Sequence, residues 1–415
     1  MKLLIAPLVA LLCYVPLHWA GIGLDSDSWA AWQAAISILD GKGYSYFSGN
    51  PIHSWPPVYA LYLAAWIKVL GPSAMTLMIC NALLIAVQAV LWMHLARTVT
   101  IESGRRVSTG ADIVLSVYVG MYLALYEQSA YAHYLVYTIL PVFLLLVWRI
   151  VSRPEQPLTP RVMLVPVLLG IVLMLTHISS LAFLAAAAGV IALARRLSLR
   201  SLVAGAVLVV VPAVAWLIVQ TLLDQGGSHH VGFGAGRFSP LFYARQLLDG
   251  PGSMMVPAKF GAQFVAPLLL WVAALAVARQ RDTAGVRFAI GFVALSLAGL
   301  YVIYNMSWIY STLAGRLVLF APLILVSMTY LPAAAIRPRA ANAAIAILIV
   351  ALCYWTASWS LRQFTSSLEA LEFPNNFVPS NAYLSRDYRS GPPVPGPRGL
   401  LIPPLDFEEP RGLRN

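Results

Sequence analysis

The chain has 415 residues, of which 60% are hydrophobic and only 10% charged, and its formal net charge is +11. Soluble domains carry roughly a quarter charged residues, so this composition, with a mean hydropathy of +0.77, excludes a water-soluble globular protein. It predicts an all-α polytopic membrane protein, and the positional bias of the basic residues described below excludes nucleic acid as the partner the charge is for.

The first apolar segment, 3–23, follows a single Lys2 and has no small-x-small cleavage site before Asp25, so it reads as a retained span. The polar loop 24–73 comes next and places Asp25 and Asp27 where that span would leave the bilayer. Acids at such a position are costly and carry a function hypothesis by default. A carboxylate at a low-dielectric boundary can serve as a general base. The structural alternative is a cap: Asp27 at the start of a helix running from Ser28 to about Leu39 and stopping at Gly41. Asp-x-Asp can also hold a divalent cation through oxygen, although no third ligand is in view.

Tyr44, Tyr46, His53, Trp55 and Tyr59 follow in the same loop. Such residues form interfacial belts, and their faces also stack on sugar rings. The apolar stretch Pro57–Leu70 is about 14 residues long, the length of an interfacial or re-entrant helix, with Pro56 and Pro57 suited to a first helical turn.

Counting the first segment, about eleven spans are predicted, each near the ~20 residues that cross a hydrocarbon core or somewhat shorter. They are 3–23, 74–96, 111–128, 131–150, 162–177, 179–194, 201–223, 263–279, 286–305, 316–335 and 341–361. Very short turns join some of them, at Glu127–Tyr131 and His177–Ser180. With the N-terminus inside, the cytoplasmic loops hold fifteen bases against four acids, an excess equal to the whole net charge of +11. That positive-inside bias orients the chain and leaves the C-terminus outside. It also keeps Pro57–Leu70 on the outer surface, because a crossing there would invert every later loop.

The chain therefore divides into a transmembrane unit, 1–361, with outer loops 24–73 and 224–262, and an outer Pro- and Gly-rich tail, 362–415, expected to be extended unless it packs on the loops. The second loop carries Arg237, Arg245 and Lys259. Glu127 and His133 flank one outside turn and His177 tips another; each suits a polar cavity, and each also suits a hydrogen-bonded hairpin top. Arg316, where a late span re-enters, fits a lipid-linked phosphate through charge-assisted bonds, with snorkelling as the alternative. Cys13, Cys80 and Cys353 all lie in apolar runs and make neither a disulfide framework nor a zinc site. Phosphate-binding Gly-rich loops, nucleophile elbows and His-Glu-x-x-His are missing.

An Asp beyond the first span, a short helix, Gly41-Lys42-Gly43-Tyr44, then Trp55-Pro56-Pro57-x-Tyr59 and a short helix ending in Leu70-Gly71 resembles the GT-C class of polytopic glycosyltransferases, in its protein mannosyltransferase and aminoarabinose transferase branch. Thr176-His177 leading to Arg195-Arg196, and Gly315-Arg316-Leu317 leading to Ala321-Pro322, resemble later motifs of that class, with His177 and Leu317 in place of its Arg and Tyr. The resemblance extends over about 1–335 and is specific in 24–71, where Trp29 stands four residues after Asp25 in place of the usual Tyr.

The resemblance implies an enzyme at the outer face of a bacterial cytoplasmic membrane. It moves a monosaccharide with inversion from a polyprenyl-phosphate donor to a glycan, lipid or protein acceptor. Asp25 is then the base and Asp27 its support. Arg316, Arg237, Arg245, Lys259 and His177 face the donor phosphate and lipid. Glu127, His133, His53, Trp55, Tyr59 and Tyr44 line the substrate. No cofactor is required, and a divalent metal, if used, falls to Asp25 and Asp27. Two other classes fit some of the same features: a flippase or transporter of lipid-linked saccharides, and a polysaccharide ligase or polymerase of the O-antigen type. A transporter needs polar groups along a whole membrane path, whereas here they gather at one face.

Overall fold

A computed structural model describes residues 4–18, 21–24, 26–47, 49–52, 55–104, 106–126, 129–130, 132–223, 284–306 and 382–385. Its helices are α1 (Ile5–Leu17), α2 (Ser26–Leu39), α3 (Val58–Leu70), α4 (Ala74–Glu102), α5 (Thr109–Tyr126), α6 (Ala132–Ser152), α7 (Pro160–Thr176), α8 (Ser180–Ala194), α9 (Leu199–Leu223) and α10 (Ala284–Met306). Three short strands accompany them: β1 (Gly21–Leu24), β2 (Ser129–Ala130) and β3 (Ala382–Ser385). The architecture is that of an all-α polytopic membrane protein. Among the described residues α4, α6 and α9 are long and apolar enough to cross a bilayer, while α1, α3, α5, α7, α8 and the Ala284–Ser296 part of α10 give shorter apolar helical stretches. The predicted spans 263–279, 316–335 and 341–361 lie outside the described residues.

Large apolar side chains lie outside the bundle as well as inside, which is what a lipid solvent allows and water penalises. Leu8 and Leu12 of α1, with Leu4 just ahead of it, are exposed at helical spacing, while Ala6, Ala10 and Tyr14 are buried. Exposed Leu202, Val203, Val210, Leu217 and Leu222 continue the pattern on α9. Helix α1 packs on α4 and α5, α6 on α4, α7 and α8, and α8 on α9 and α10. The approach of α1 to α5 depends on a small residue: a Cβ on Gly120 would lie 2.5 Å from the Ala6 carbonyl oxygen. The core is aromatic, with Trp32, Trp92, Trp148, Tyr134, Tyr137, Phe143, Phe183 and Phe288 fully buried.

The first predicted span needs correction. Helix α1 stops at Leu17, and the Gly-rich stretch expected to finish the span becomes β1. Glycine loses the most entropy in a helix, and two of them within four residues favour an extended segment that finds partners elsewhere. Strand β1 lies between the other two, parallel to β2 with Gly23 opposite Ser129, and antiparallel to β3 with Gly23 opposite Tyr383. Part of the C-terminal tail is therefore built into the fold.

At the other end of the bundle two polar pairs join α4 to its neighbours. Arg97 donates to Asp112 of α5 through Nε to Oδ1 at 2.7 Å and Nη2 to Oδ2 at 2.7 Å. Trp148 of α6 donates its indole N–H to Glu102 at 2.6 Å. Arg97 and Asp112 are thus an interhelical pair within the bundle. Nearby, the Arg195 guanidinium donates to the carbonyls of Ile150, Arg153 and Gln156, which closes the C-terminal end of α6.

Candidate functional site

The candidate site is the end of the bundle that carries the sheet. Alternating helix directions bring the end of α1, the starts of α4, α6 and α8, and the ends of α5 and α7 to one side. Two contacts tie these together in space: β1, after α1, pairs with β2 between α5 and α6, and His133 of α6 meets His177 at the α7–α8 turn.

Asp25 lies between β1 and α2 and is outside the described residues. Asp27 is in the first turn of α2, which begins at Ser26 and not at Ser28. It therefore sits inside the helix and not at the capping position, where an acid still complements the N-terminal dipole. Its side chain is outside the described residues, as are His53, Glu127, Arg237, Arg245, Lys259 and Arg316.

From α2 the chain folds back on itself. Lys42 N–H bonds to the Ser37 carbonyl at 2.9 Å, and Gly41 and Gly43 supply left-handed φ of 76° and 79°. A small hairpin follows, with Ser45 bridged to Pro51 and Ile52 N–H bonded to the Tyr44 carbonyl. It is fixed to α2 by the Phe47 N–H donating to Gln33 Oε1 at 3.1 Å and by an edge-on contact of Trp29 with Phe47. Tyr44 donates its hydroxyl to the Trp55 carbonyl at 3.0 Å. Burial, with Tyr46 beside it, raises the Tyr44 hydroxyl well above the usual phenol range, so Tyr44 remains a donor.

Half-buried Trp55 leads through Pro56 and Pro57 into α3, where buried Tyr59 stacks on Tyr62 and Tyr62 donates to the Cys80 carbonyl of α4. The aromatic residues of the loop thus pack it against α2, α3 and α4.

His133 and His177 are both buried, with ring centroids 4.1 Å apart, and Tyr137 also stacks with His133 at 6.4 Å. His177 accepts the Ser179 backbone N–H on Nδ1 at 3.2 Å, and Ser179 Oγ lies 2.7 Å from the same nitrogen. This network assigns the proton to Nε2. Burial lowers the His177 pKa to about 4. At neutral pH His177 can therefore offer an anion a neutral N–H but not a positive charge.

Three features were not predicted. The sheet had no sequence signal, because strands of two and four residues are too short to show a period. The His133–His177 contact joins separate hairpins. Buried Asn81 of α4 beside Tyr14 of α1 puts a polar group behind the site, where the apolar run had concealed it. Among the described residues no group of His, Cys, Asp and Glu is placed to hold a metal ion.

No protein-family model and no curated protein matches this sequence. Its structure is similar to the crystal structure of ArnT from Cupriavidus metallidurans bound to undecaprenyl phosphate, with a TM-score of 0.51 at 14% identity, covering 91% of this chain and 73% of that one. The two proteins therefore share a fold over most of this chain.

Proposed function

We propose that this protein is a polyprenyl-phosphate-dependent membrane glycosyltransferase, and the observation that carries this reading is its fold. That fold is shared, over most of the chain, with a structure that holds undecaprenyl phosphate. The gathering of loop aromatics, two histidines and the segment leading to Asp25 at one end of the bundle supports an enzyme site at a membrane surface. The asymmetry of basic residues supports the outer face of a bacterial cytoplasmic membrane for that end, with the N-terminus inside.

In the proposed reaction an acceptor hydroxyl or amine attacks the anomeric carbon of a monosaccharide linked to polyprenyl phosphate. Asp25 takes the proton as the new bond forms, and Asp27 orients or polarises the acceptor. The bond from the anomeric carbon to the phosphate oxygen breaks with inversion, and the polyprenyl phosphate leaves with its electron pair. Arg316, with Arg237, Arg245 and Lys259, neutralises the charge that develops on the phosphate. His177 adds a neutral donor at most. Glu127, His133, His53, Trp55, Tyr59 and Tyr44 shape the sugar and acceptor side. The scheme runs without a cofactor; a divalent metal, if one takes part, binds Asp25 and Asp27.

The test is release of polyprenyl phosphate from polyprenyl-phosphate sugars by the purified wild type, Asp25→Asn and Arg316→Ala. Loss of a general base lowers the rate about 10²–10⁴-fold. Full turnover by Asp25→Asn removes the base assignment. A reporter fused after Asn415 should signal from the outer side, and a cytoplasmic signal breaks the proposed topology.

A further inference from the structure

Strand β1 is the four residues of chain immediately before Asp25, and two of the four are glycines. A segment of that length and composition holds no fixed shape alone. Its shape comes from its neighbours. Below it, Ile22 is fully buried in the core. On one edge, β2 pairs with Gly23 and Leu24. On the other, β3 pairs with all four residues, Gly21 opposite Ser385 through Leu24 opposite Ala382. The larger share of the restraint on the backbone ahead of Asp25 thus comes from the C-terminal tail, almost the whole chain away.

We infer that β3 is a positioning element of the proposed active site: by pairing with β1 it holds the four residues that lead into Asp25. The inference rests on the reading of Asp25 as the base. It also puts 382–385 on the same side of the membrane as the first loop. A base displaced by 1 Å costs roughly 10²-fold in rate, so losing this pairing should lower kcat and leave donor binding, carried by other segments, nearly unchanged.

Two full-length experiments test it. The first is geometric and independent of activity. Directly opposed residues of an antiparallel pair have Cα atoms roughly 4.5–5.5 Å apart, within disulfide range, whereas a partner two residues along is roughly 7–8 Å away. Gly21→Cys/Ser385→Cys should therefore cross-link on oxidation, read by peptide mass, and Gly21→Cys/Tyr383→Cys should not. Equal or absent cross-linking of both pairs overturns the register.

The second is kinetic. On an edge strand alternate N–H groups face the ladder, so one of Tyr383→Pro and Leu384→Pro should break the pairing and the other should not. The damaging variant should lose at least about 10-fold in kcat, with the donor KM changed less than about 3-fold. Adding the Gly21→Cys/Ser385→Cys bridge to that variant should restore turnover under oxidising conditions and lose it again on reduction; failure to rescue overturns the positioning role. Wild-type turnover in both proline variants overturns it as well, whereas a wild type that releases no polyprenyl phosphate overturns the glycosyltransferase reading and leaves the cross-link standing.

Discussion

Replacing Asp112 with alanine should be among the most damaging single changes in the helical bundle. Its side chain is 3% exposed and that of Arg97 15%. The two make two parallel charge-assisted bonds of 2.7 Å between α4 and α5. Arg97 lies 23 residues into α4, roughly 35 Å along the helix at 1.5 Å per residue. The pair therefore sits near the edge of a ~30 Å hydrocarbon core, where water is scarce. In Asp112→Ala the guanidinium keeps its desolvation cost and loses its counter-charge, a penalty of about 3–5 kcal/mol.

The free energy is best read from unfolding in mixed micelles, with a fall in melting midpoint of roughly 5–10 °C as the simpler readout. The decisive arm is the double variant Arg97→Met/Asp112→Leu. A buried pair exchanged for well-packed apolar residues is often neutral or stabilising, so the double variant should recover most of the loss and give a large coupling energy. Its turnover should stay within about 2-fold of wild type, because the pair is at the opposite end from the sheet. A double variant no better than the worse single one refutes the reasoning, and so does an Asp112→Ala midpoint within 1 °C of wild type.

Acidification should destabilise the protein through His177, whose pKa is lowered from 6.5 to about 4. Its contribution is complete above the unfolded value and is lost as pH falls from about 6.5 towards 4, about 3 kcal/mol in all. His177→Gln should flatten that part of the stability–pH curve, and an unchanged curve removes His177 as its source. Gly120→Val should force α1 away from α5, since even a first carbon there meets the Ala6 carbonyl; about 1–3 kcal/mol is expected from overpacking, and an unaltered unfolding profile would contradict that close approach. Ser73→Ala should cost about 1 kcal/mol, because Ser73 Oγ accepts the Thr76 N–H at 3.2 Å and caps α4; measurement in the same micelles against Ser73→Asp, which can still cap, separates the cap from other effects.

Where local chemistry decides, the fold was legible. The helix of the first loop was expected to stop at Gly41 and ends at Leu39, and Pro57–Leu70 was expected as a short helix and forms α3 over Val58–Leu70, closed by Gly71 with φ 84°. Both outcomes follow from glycine and proline acting on their own neighbours. Distant partners were not legible. An apolar run looks the same whether it continues as helix or turns into a strand, so the segment 3–23 reads as one span although it holds both α1 and β1. Charges close to helix ends look like loop charges until a partner on the next helix neutralises them, as Asp112 does for Arg97. Of the candidate site, the loop aromatics and the two histidines are placed, while Asp25, Glu127 and the phosphate-facing cations fall outside the described residues.

The sheet also sets an order of events in biosynthesis. Strand β1 (Gly21–Leu24) is synthesised about 360 residues before its partner β3 (Ala382–Ser385). At roughly 5–20 residues per second, the first waits about 20–70 s for the second. Through that interval β1 has an unfilled edge, the feature that makes nascent strands join the wrong chain. Its brevity and its two glycines make it a poor template for such errors. The same poverty means that it cannot hold its own shape, so this end of the molecule takes its final form only when β3 arrives.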